Sequence, residues 1–292
     1  MRSERPWSVL SEENRWVVHS GSRAWLVYLL RGAATKPYIS MLPAPSGRNL
    51  LADAPSDHLH HHGIWWAHGD VNGVDFYLET PGAHRGRIVH REWLEVTETP
   101  DRVGFVERLS WKGPDGREMI EEVRRIRLTR GWRSGLLLEL ESVYRALEDL
   151  RFGTTKESGI PLIRMADAFT GRAGGRIENS EGQQGEEATF GRPARWVSYT
   201  APVPEGYGGG WEGLTCFDHP SNPHHPTCWF TREYGPLSPR EGHHFTGEER
   251  LAAGETLRLR HGIYVHRGAP ADLDLESAFS EYVSLAEGSE ER

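Results

Sequence analysis

Val103-Gly-Phe-Val-Glu-Arg-Leu-Ser-Trp-Lys112, Glu118-Met-Ile-Glu-Glu-Val-Arg-Arg-Ile-Arg-Leu-Thr129 and Gly135-Leu-Leu-Leu-Glu-Leu-Glu-Ser-Val-Tyr-Arg-Ala146 are the segments that decide the fold. Each has the length of a strand. Polar and apolar residues alternate in Glu139-Leu-Glu-Ser-Val-Tyr144, the period that lays one face of a strand on a core. Between the first two segments stands Gly113-Pro-Asp-Gly-Arg117, where Pro sets φ and Gly accepts a positive φ, so the chain turns back on itself. With Ile88 to Glu98 in front of them, the segments predict a long antiparallel meander.

The same reading extends outward. Trp16 to Leu30 holds two apolar runs broken by Ser20-Gly-Ser22, which predicts a hairpin. Pro37 to Met41 is a further short strand, and Ser46 to Asp57 a loop rich in Gly, Pro, Asp and Asn. In the second half, Gly171 to Gly185 and Pro202 to Gly213 read as long loops of the kind found near function. Strands return at Gly213 to Phe217, Thr227 to Arg232 and Glu255 to His266, and Leu275 to Ala286 has helical spacing behind a cap at Asp272 or Asp274. No linker, repeat or shift in composition divides the chain. The expectation is all-β: one large antiparallel β-sandwich domain over residues 1–292 with a short C-terminal helix.

The 292 residues include 33 glycines and 18 prolines with 37% hydrophobic residues, a turn-rich globular composition. A net charge of −8 gives no electrostatic footprint for nucleic acid, although Lys36, Lys112 and Lys156 are the only lysines among 34 basic residues. Cys216 and Cys228 are too few for a disulfide framework and fit a reducing compartment. The longest apolar segment, Ala24 to Leu30, is far below a membrane span, and the first residues lack a signal-like stretch. The expected setting is cytoplasmic, with neither nucleic acid nor membrane as partner; the oligomeric state is not readable.

The candidate site begins in Asp57-His58-Leu59-His60-His61-His62-Gly63-Ile64-Trp65-Trp66, which holds four of the fifteen histidines and two of the eleven tryptophans. Imidazole transfers protons near neutral pH or binds a metal, and indole faces offer platforms for sugar rings. If this run is extended, His58, His60 and His62 point one way and His61 the other. A second cluster, Asp218-His219-Pro220-Ser221-Asn222-Pro223-His224-His225-Pro226, lies on a proline-stiffened loop that is otherwise a rigid surface turn. Lys156-Glu157 and Arg164 flank an apolar strand, so Glu157 reads either as an ionised base between cations or as an ordinary strand-edge ion pair. Gly242-His243-His244 adds further ligand candidates. Gly206 to Gly210 lacks the Lys-Ser/Thr and βαβ setting of a phosphate loop.

These residues carry a resemblance. Lys36-Pro-Tyr38, Asp57-His58-Leu-His60-His61-His-Gly63, Trp66 to Phe76, Lys156-Glu157 with Arg164, and Asp218-His219-Pro220-Ser-Asn222-Pro223 together resemble a bacterial family of unknown function labelled methane oxygenase PmoA-like. Members commonly have Pro and Arg where this chain has Leu59 and His62. An integral methane-oxidising subunit needs several apolar spans, so copper oxygenation is not carried over. The resemblance implies a galactose mutarotase-like β-supersandwich, in which a His-rich strand and an acidic residue act on a sugar ring in an open cleft.

The reading that follows is a carbohydrate-active enzyme using His/Glu acid-base chemistry, of epimerase, mutarotase or lyase type, on a small-molecule sugar or sugar derivative. Its expected catalytic residues are His58, His60, His61, Glu157, Lys156, Arg164 and His219. Trp65, Trp66, His68, Asp70, Asn72, Asn222 and His225 are expected to bind substrate. No cofactor is firmly implied. The alternatives are a metal-dependent enzyme with a divalent ion on His58, His60 and His219, and a noncatalytic sugar-binding module. His60, His61, Glu157, Arg164 and His219 are expected to line one concave face.

Overall fold

A computed structural model describes residues 6–30, 35–239, 245 and 247–287. The first half of the chain forms β1 (Ser8–Ser11), β2 (Arg15–Ser20), β3 (Arg23–Leu29), β4 (Tyr38–Met41), β5 (Ile64–His68), β6 (Arg87–Glu98), β7 (Arg102–Lys112), β8 (Glu118–Trp132) and β9 (Gly135–Ala146). Then come β10 (Leu150–Phe152), β11 (Ser158–Arg164), β12 (Arg176–Asn179), α1 (Gly185–Thr189), β13 (Trp196–Pro202) and β14 (Trp211–Asp218). The chain continues through β15 (Trp229–Thr231), β16 (Pro236–Pro239), β17 (Glu249–Leu251), β18 (Thr256–Arg267) and α2 (Leu275–Glu287).

Two eight-stranded antiparallel sheets result. The first runs β1-β2-β3-β4-β5-β11-β16-β15, the second β12-β13-β14-β18-β9-β8-β7-β6, and β10 pairs with β17. The predicted meander is the β6 to β9 half of the second sheet. Its alternation places Ile126 opposite Leu140 and Leu128 opposite Leu138, all four buried in the core between the sheets. Each such side chain contributes roughly 1.5–3 kcal/mol by leaving water.

The intervening residues of β9 and its neighbours are also covered. Leu137, Trp132, Phe217 and Tyr264 pack under Leu275, Ala278, Phe279 and Tyr282 of α2. The helix starts where expected, since Asp274 Oδ1 accepts the Ser277 N–H at 3.0 Å. It can lie close because position 262 is glycine: a Cβ there would press on the Tyr282 ring at 2.7 Å. Glycine-rich 171–185 is more structured than predicted, since β12 forms within it against β13.

The first sheet is built differently. Ile64, Trp66 and Ile163 face the inter-sheet core, whereas Tyr38, Trp65, Ala67 and Leu162 form a small apolar patch with Tyr77 on the other face. That patch is the floor of the candidate site.

The histidine run itself is not a strand. His58 N–H donates to Pro55 O at 2.9 Å and His61 N–H to His58 O at 3.0 Å, so the chain turns twice before β5 opens at Ile64. The expected alternation of His58, His60 and His62 against His61 therefore does not hold, because a turn rotates successive side chains by angles other than 180°. Gly63 brings the turn against β4, where a Cβ would run into Ile39 O and Leu51.

Candidate active site

His58, His60 and His61 form one cluster. The rings of His58 and His61 stack at 4.5 Å, and that of His60 meets His61 edge-on at 4.7 Å. Beneath them His61 packs on Trp65, with ring centroids 5.2 Å apart. Tyr77, from the segment after β5, and Tyr234, between β15 and β16, close the sides; Tyr234 stacks on His58 at 5.5 Å. Neither tyrosine is marked by the sequence.

Arg164 at the end of β11 ties the floor together. Its Nη1 lies 3.2 Å from His61 Nδ1, and its Nη2 donates to both oxygens of Asp57 at 3.1 and 3.0 Å. A guanidinium can only donate, so His61 Nδ1 accepts, its proton sits on Nε2, and that N–H donates to the Tyr77 hydroxyl 3.0 Å away. Burial, reinforced by His60, His58 and Arg164, pushes the His61 pKa down to about 2, which keeps the ring neutral. Burial raises Asp57, but the Arg164 hydrogen bonds and the adjacent His58 ring outweigh it and bring the carboxyl down to about 2.

The adjacent histidine joins a different network. His62 donates from Nδ1 to Asp53 at 2.6 Å and from Nε2 to Glu79 at 3.0 Å, while its ring stacks on Tyr38 at 4.1 Å. Burial lowers its pKa, but the two carboxylates outweigh burial and raise it. Buried Lys36 donates to Glu79 at 2.8 Å and to Tyr77 O at 2.9 Å. Glu79 is held at about 2, burial being overcome by His62 and Lys36. The two carboxylates thus favour the imidazolium form of His62.

His60 stands apart from both networks. It is half-buried, and neither ring nitrogen has a hydrogen-bond partner among the described residues. Burial first, then the neighbouring His58 and Lys36 charges, lower its pKa and favour the neutral, proton-accepting form. His58 flanks it with ring centroids 5.8 Å apart. The His58 Nδ1 lies 3.0 Å from Asp57 Oδ2, close enough for attraction but not aligned as a hydrogen bond.

Other expected site residues fall elsewhere. Trp65 and Trp66 are both buried and are no platform for a sugar: Trp65 is the floor under His61, and Trp66 lies in the inter-sheet core with the Arg124 guanidinium 3.8 Å from its ring. Lys156 is exposed, and Glu157 stands at the opposite end of the seven-residue β11 from Arg164. At about 3.3 Å per residue that separation is roughly 20 Å. Glu157 borders Gly69 instead, which donates its N–H to Glu157 O.

His68, Asp70 and Asn72 organise a turn. His68 Nδ1 accepts the Asp70 N–H at 3.0 Å, Asp70 pairs with Arg151 at 2.9 Å, and Asn72 bridges to Asp149 O and Arg151 N. His219, Asn222 and His225 lie on the loop that leaves β14 of the second sheet. There Asp218 accepts from Asn222 Nδ2 at 2.8 Å, His225 Nδ1 at 2.7 Å and Thr227 N at 3.1 Å, locking the proline-rich loop. His219 packs edge-on against Tyr282 of α2. The expected single face is therefore brought together in part: His60, His61 and Arg164 meet, whereas Glu157 and His219 do not join them.

Among the described residues no group of three or more His, Cys, Asp or Glu is arranged to hold a metal ion, so His58, His60 and His219 form no ligand set. His243 and His244 lie outside the described residues. Among those residues no helix is long and apolar enough to cross a membrane.

A family model, described as a family of unknown function, DUF6807, matches residues 8–280. The chain belongs to this family. No curated protein matches the sequence. The DUF6807 chain is similar to the solved structure of a galactose mutarotase related enzyme from Lactobacillus acidophilus, at 10% identity and a TM-score of 0.37, covering 90% of this chain and 98% of the other. It is also similar to a GalM/aldose epimerase homologue from C. elegans, at 9% identity and 0.36, covering 90% and 99%. A polysaccharide lyase matches at 11% identity and 0.34, covering 92% of this chain and 33% of that one. At such scores these likenesses carry no argument about chemistry.

Proposed function

We propose that this DUF6807 chain is a carbohydrate-active enzyme in which His60 withdraws a proton from an uncharged sugar or sugar derivative. The observation that carries the reading is the state of His60: a half-buried imidazole, its pKa lowered, with no group among the described residues holding either ring nitrogen. A base in that state has its lone pair available to a ligand. His58, steered by Asp57, is the group beside it able to return a proton. A hydroxyl proton taken in this way leads to anomeric exchange; a proton taken next to a carbonyl leads to epimerisation or elimination.

Charge supports the uncharged substrate. Lys36, His62 and Arg164 face Asp53, Asp57 and Glu79 in closed pairs, so the site presents no net charge to an anion. Tyr234, half-buried, offers a sugar the ring surface that His58 and Arg164, both lying against it, leave open. The base of the expected His/Glu pair is His60 in this reading, and Glu157 has no part in it.

The test measures exchange of anomeric proton signals by NMR, and ultraviolet absorbance of unsaturated products, over a panel of neutral sugars. His60→Gln is expected to lower kcat by about 10²–10⁴-fold with an unchanged circular dichroism spectrum. Glu157→Gln is expected to keep activity within roughly twofold. Full activity in His60→Gln would overturn the proposal.

A further inference from the structure

A second recess lies between the start of β3 in the first sheet and the β8–β9 hairpin of the second. It has a volume of about 300 Å³ and is walled by Arg23 and Trp25 of β3 and the Pro43 to Pro45 turn on one side. The hairpin between β8 and β9, with Arg130, Ser134 and Leu136, forms the other wall. That volume is at the lower end of small-ligand sites.

Its chemistry is unlike that of the histidine cluster. Two arginines and no acidic residue are among its described lining residues. The Arg23 guanidinium lies over the Trp25 ring at 4.1 Å, and Arg23 has no carboxylate partner among the described residues. A guanidinium laid on an indole keeps its edge free, and that edge is the planar fork that grips a carboxylate through two parallel hydrogen bonds. The Trp25 indole nitrogen is buried with no hydrogen-bond partner among the described residues. Trp7 packs beside Trp25 at 5.9 Å and carries Arg130 over its ring at 5.3 Å, so cation and aromatic face recur on the other side. Pro45, Leu136 and Val265 supply apolar wall.

We propose that this recess binds a small organic carboxylate carried on a ring with an apolar face, of which a uronic acid is the representative class. The carboxylate lies on the Arg23 fork, within the field of Arg130, and the ring rests against the apolar wall. The inference does not depend on the reaction proposed for His60.

Isothermal titration with glucuronate, with glucose as the uncharged control, tests it. Glucuronate is expected to bind, glucose to bind at least about tenfold more weakly, and the difference to shrink between about 0.05 and about 0.5 M salt as the charges are screened. Arg23→Gln is expected to lose about tenfold in glucuronate affinity, and Arg23→Lys, which keeps the charge but not the fork, to fall between. His60→Gln should bind glucuronate as the parent does, which separates this recess from the histidine site. Equal affinity for glucose and glucuronate, unchanged binding in both Arg23 variants, or loss of binding in His60→Gln would overturn the assignment.

Discussion

His61 and His62 are neighbours in the chain and are driven toward opposite protonation states. His61 receives a hydrogen bond from Arg164 and is buried among other imidazoles, so its proton-free nitrogen is used as an acceptor. His62 is clasped at both ring nitrogens by carboxylates, an arrangement that only the imidazolium satisfies in full. The turn that ends at Gly63 sends the two rings into separate networks, and between them these orient Tyr77 and Lys36 around His60, whose ring nitrogens have no hydrogen-bond partner among the described residues.

The His62 clasp makes stability depend on pH. Its folded-state pKa is raised above 6.5, so its stabilisation is complete below about pH 6.5 and fades as pH rises through the folded value. Thermal unfolding of His62→Gln against the parent should show a deficit of about 2 kcal/mol in mildly acidic buffer, discounted for the partly exposed Asp53. The deficit should narrow toward pH 9. A deficit that grows with pH contradicts the assignment.

Arg164→Met should release Asp57. The Asp57 carboxyl is held at about 2, so its contribution is present above its ordinary value of 3.8 and lost as pH falls toward 2. Carbon-detected NMR titration is expected to find Asp57 returned to the ordinary carboxylate range in the variant. His61 should lose its fixed tautomer at the same time, visible in its ring nitrogen shifts. An Asp57 titration identical in both proteins would show that the guanidinium does not set it.

Between the sheets, Glu107, Glu122 and Arg124 are all fully buried. Arg124 donates to both Glu122 oxygens at 2.8 and 2.9 Å and to Tyr28, which in turn donates to Glu107. His90 donates to Glu107 at 2.6 Å from the sheet margin. Arg124→Met leaves buried carboxylates without their main cation and should cost about 3–5 kcal/mol in denaturant unfolding. Adding Glu122→Gln should recover part of the loss; a strictly additive double variant would mean that the two residues do not interact.

Gly63→Ala tests the turn. A methyl group there meets the Ile39 carbonyl, which is backbone and cannot swing aside, so the β4–β5 pairing must shift. The expected loss is about 1–3 kcal/mol, with altered His61 and His62 ring shifts. Unchanged stability and shifts would show that the close approach is not required.

Much of this was legible from one dimension. Period-two alternation and glycine-proline turns located β6 to β9 and the Trp16 to Leu30 hairpin, because a strand between core and cover must alternate in polarity. The capped terminal helix was legible for a similar reason, its apolar spacing and Asp274 being local signals. What failed needed more than local pattern. An extended histidine run would have alternated its rings, but backbone bonds from His58 and His61 turn it. Trp65 and Trp66 looked like ligand platforms, but β5 is covered on both faces and buries each indole on a different side. Glu157 and Arg164 are close in sequence, yet an extended strand of seven residues carries its ends apart.

Residue identity and spacing alone determined that this chain builds antiparallel sheets, and they marked Asp57 to His62 and Arg164 as candidates without separating Arg164 from Glu157 and His219. Tertiary structure decided which histidine is neutral, which is clasped as a cation and which is left available. It also brought Lys36, Asp53, Tyr77, Glu79 and Tyr234 from separate segments to that point, and removed His219 to a loop of the other sheet. The division has a physical cause: strand polarity is set by the side chains of one segment against a core, whereas a protonation state is set by whatever charges and burial the remaining segments supply.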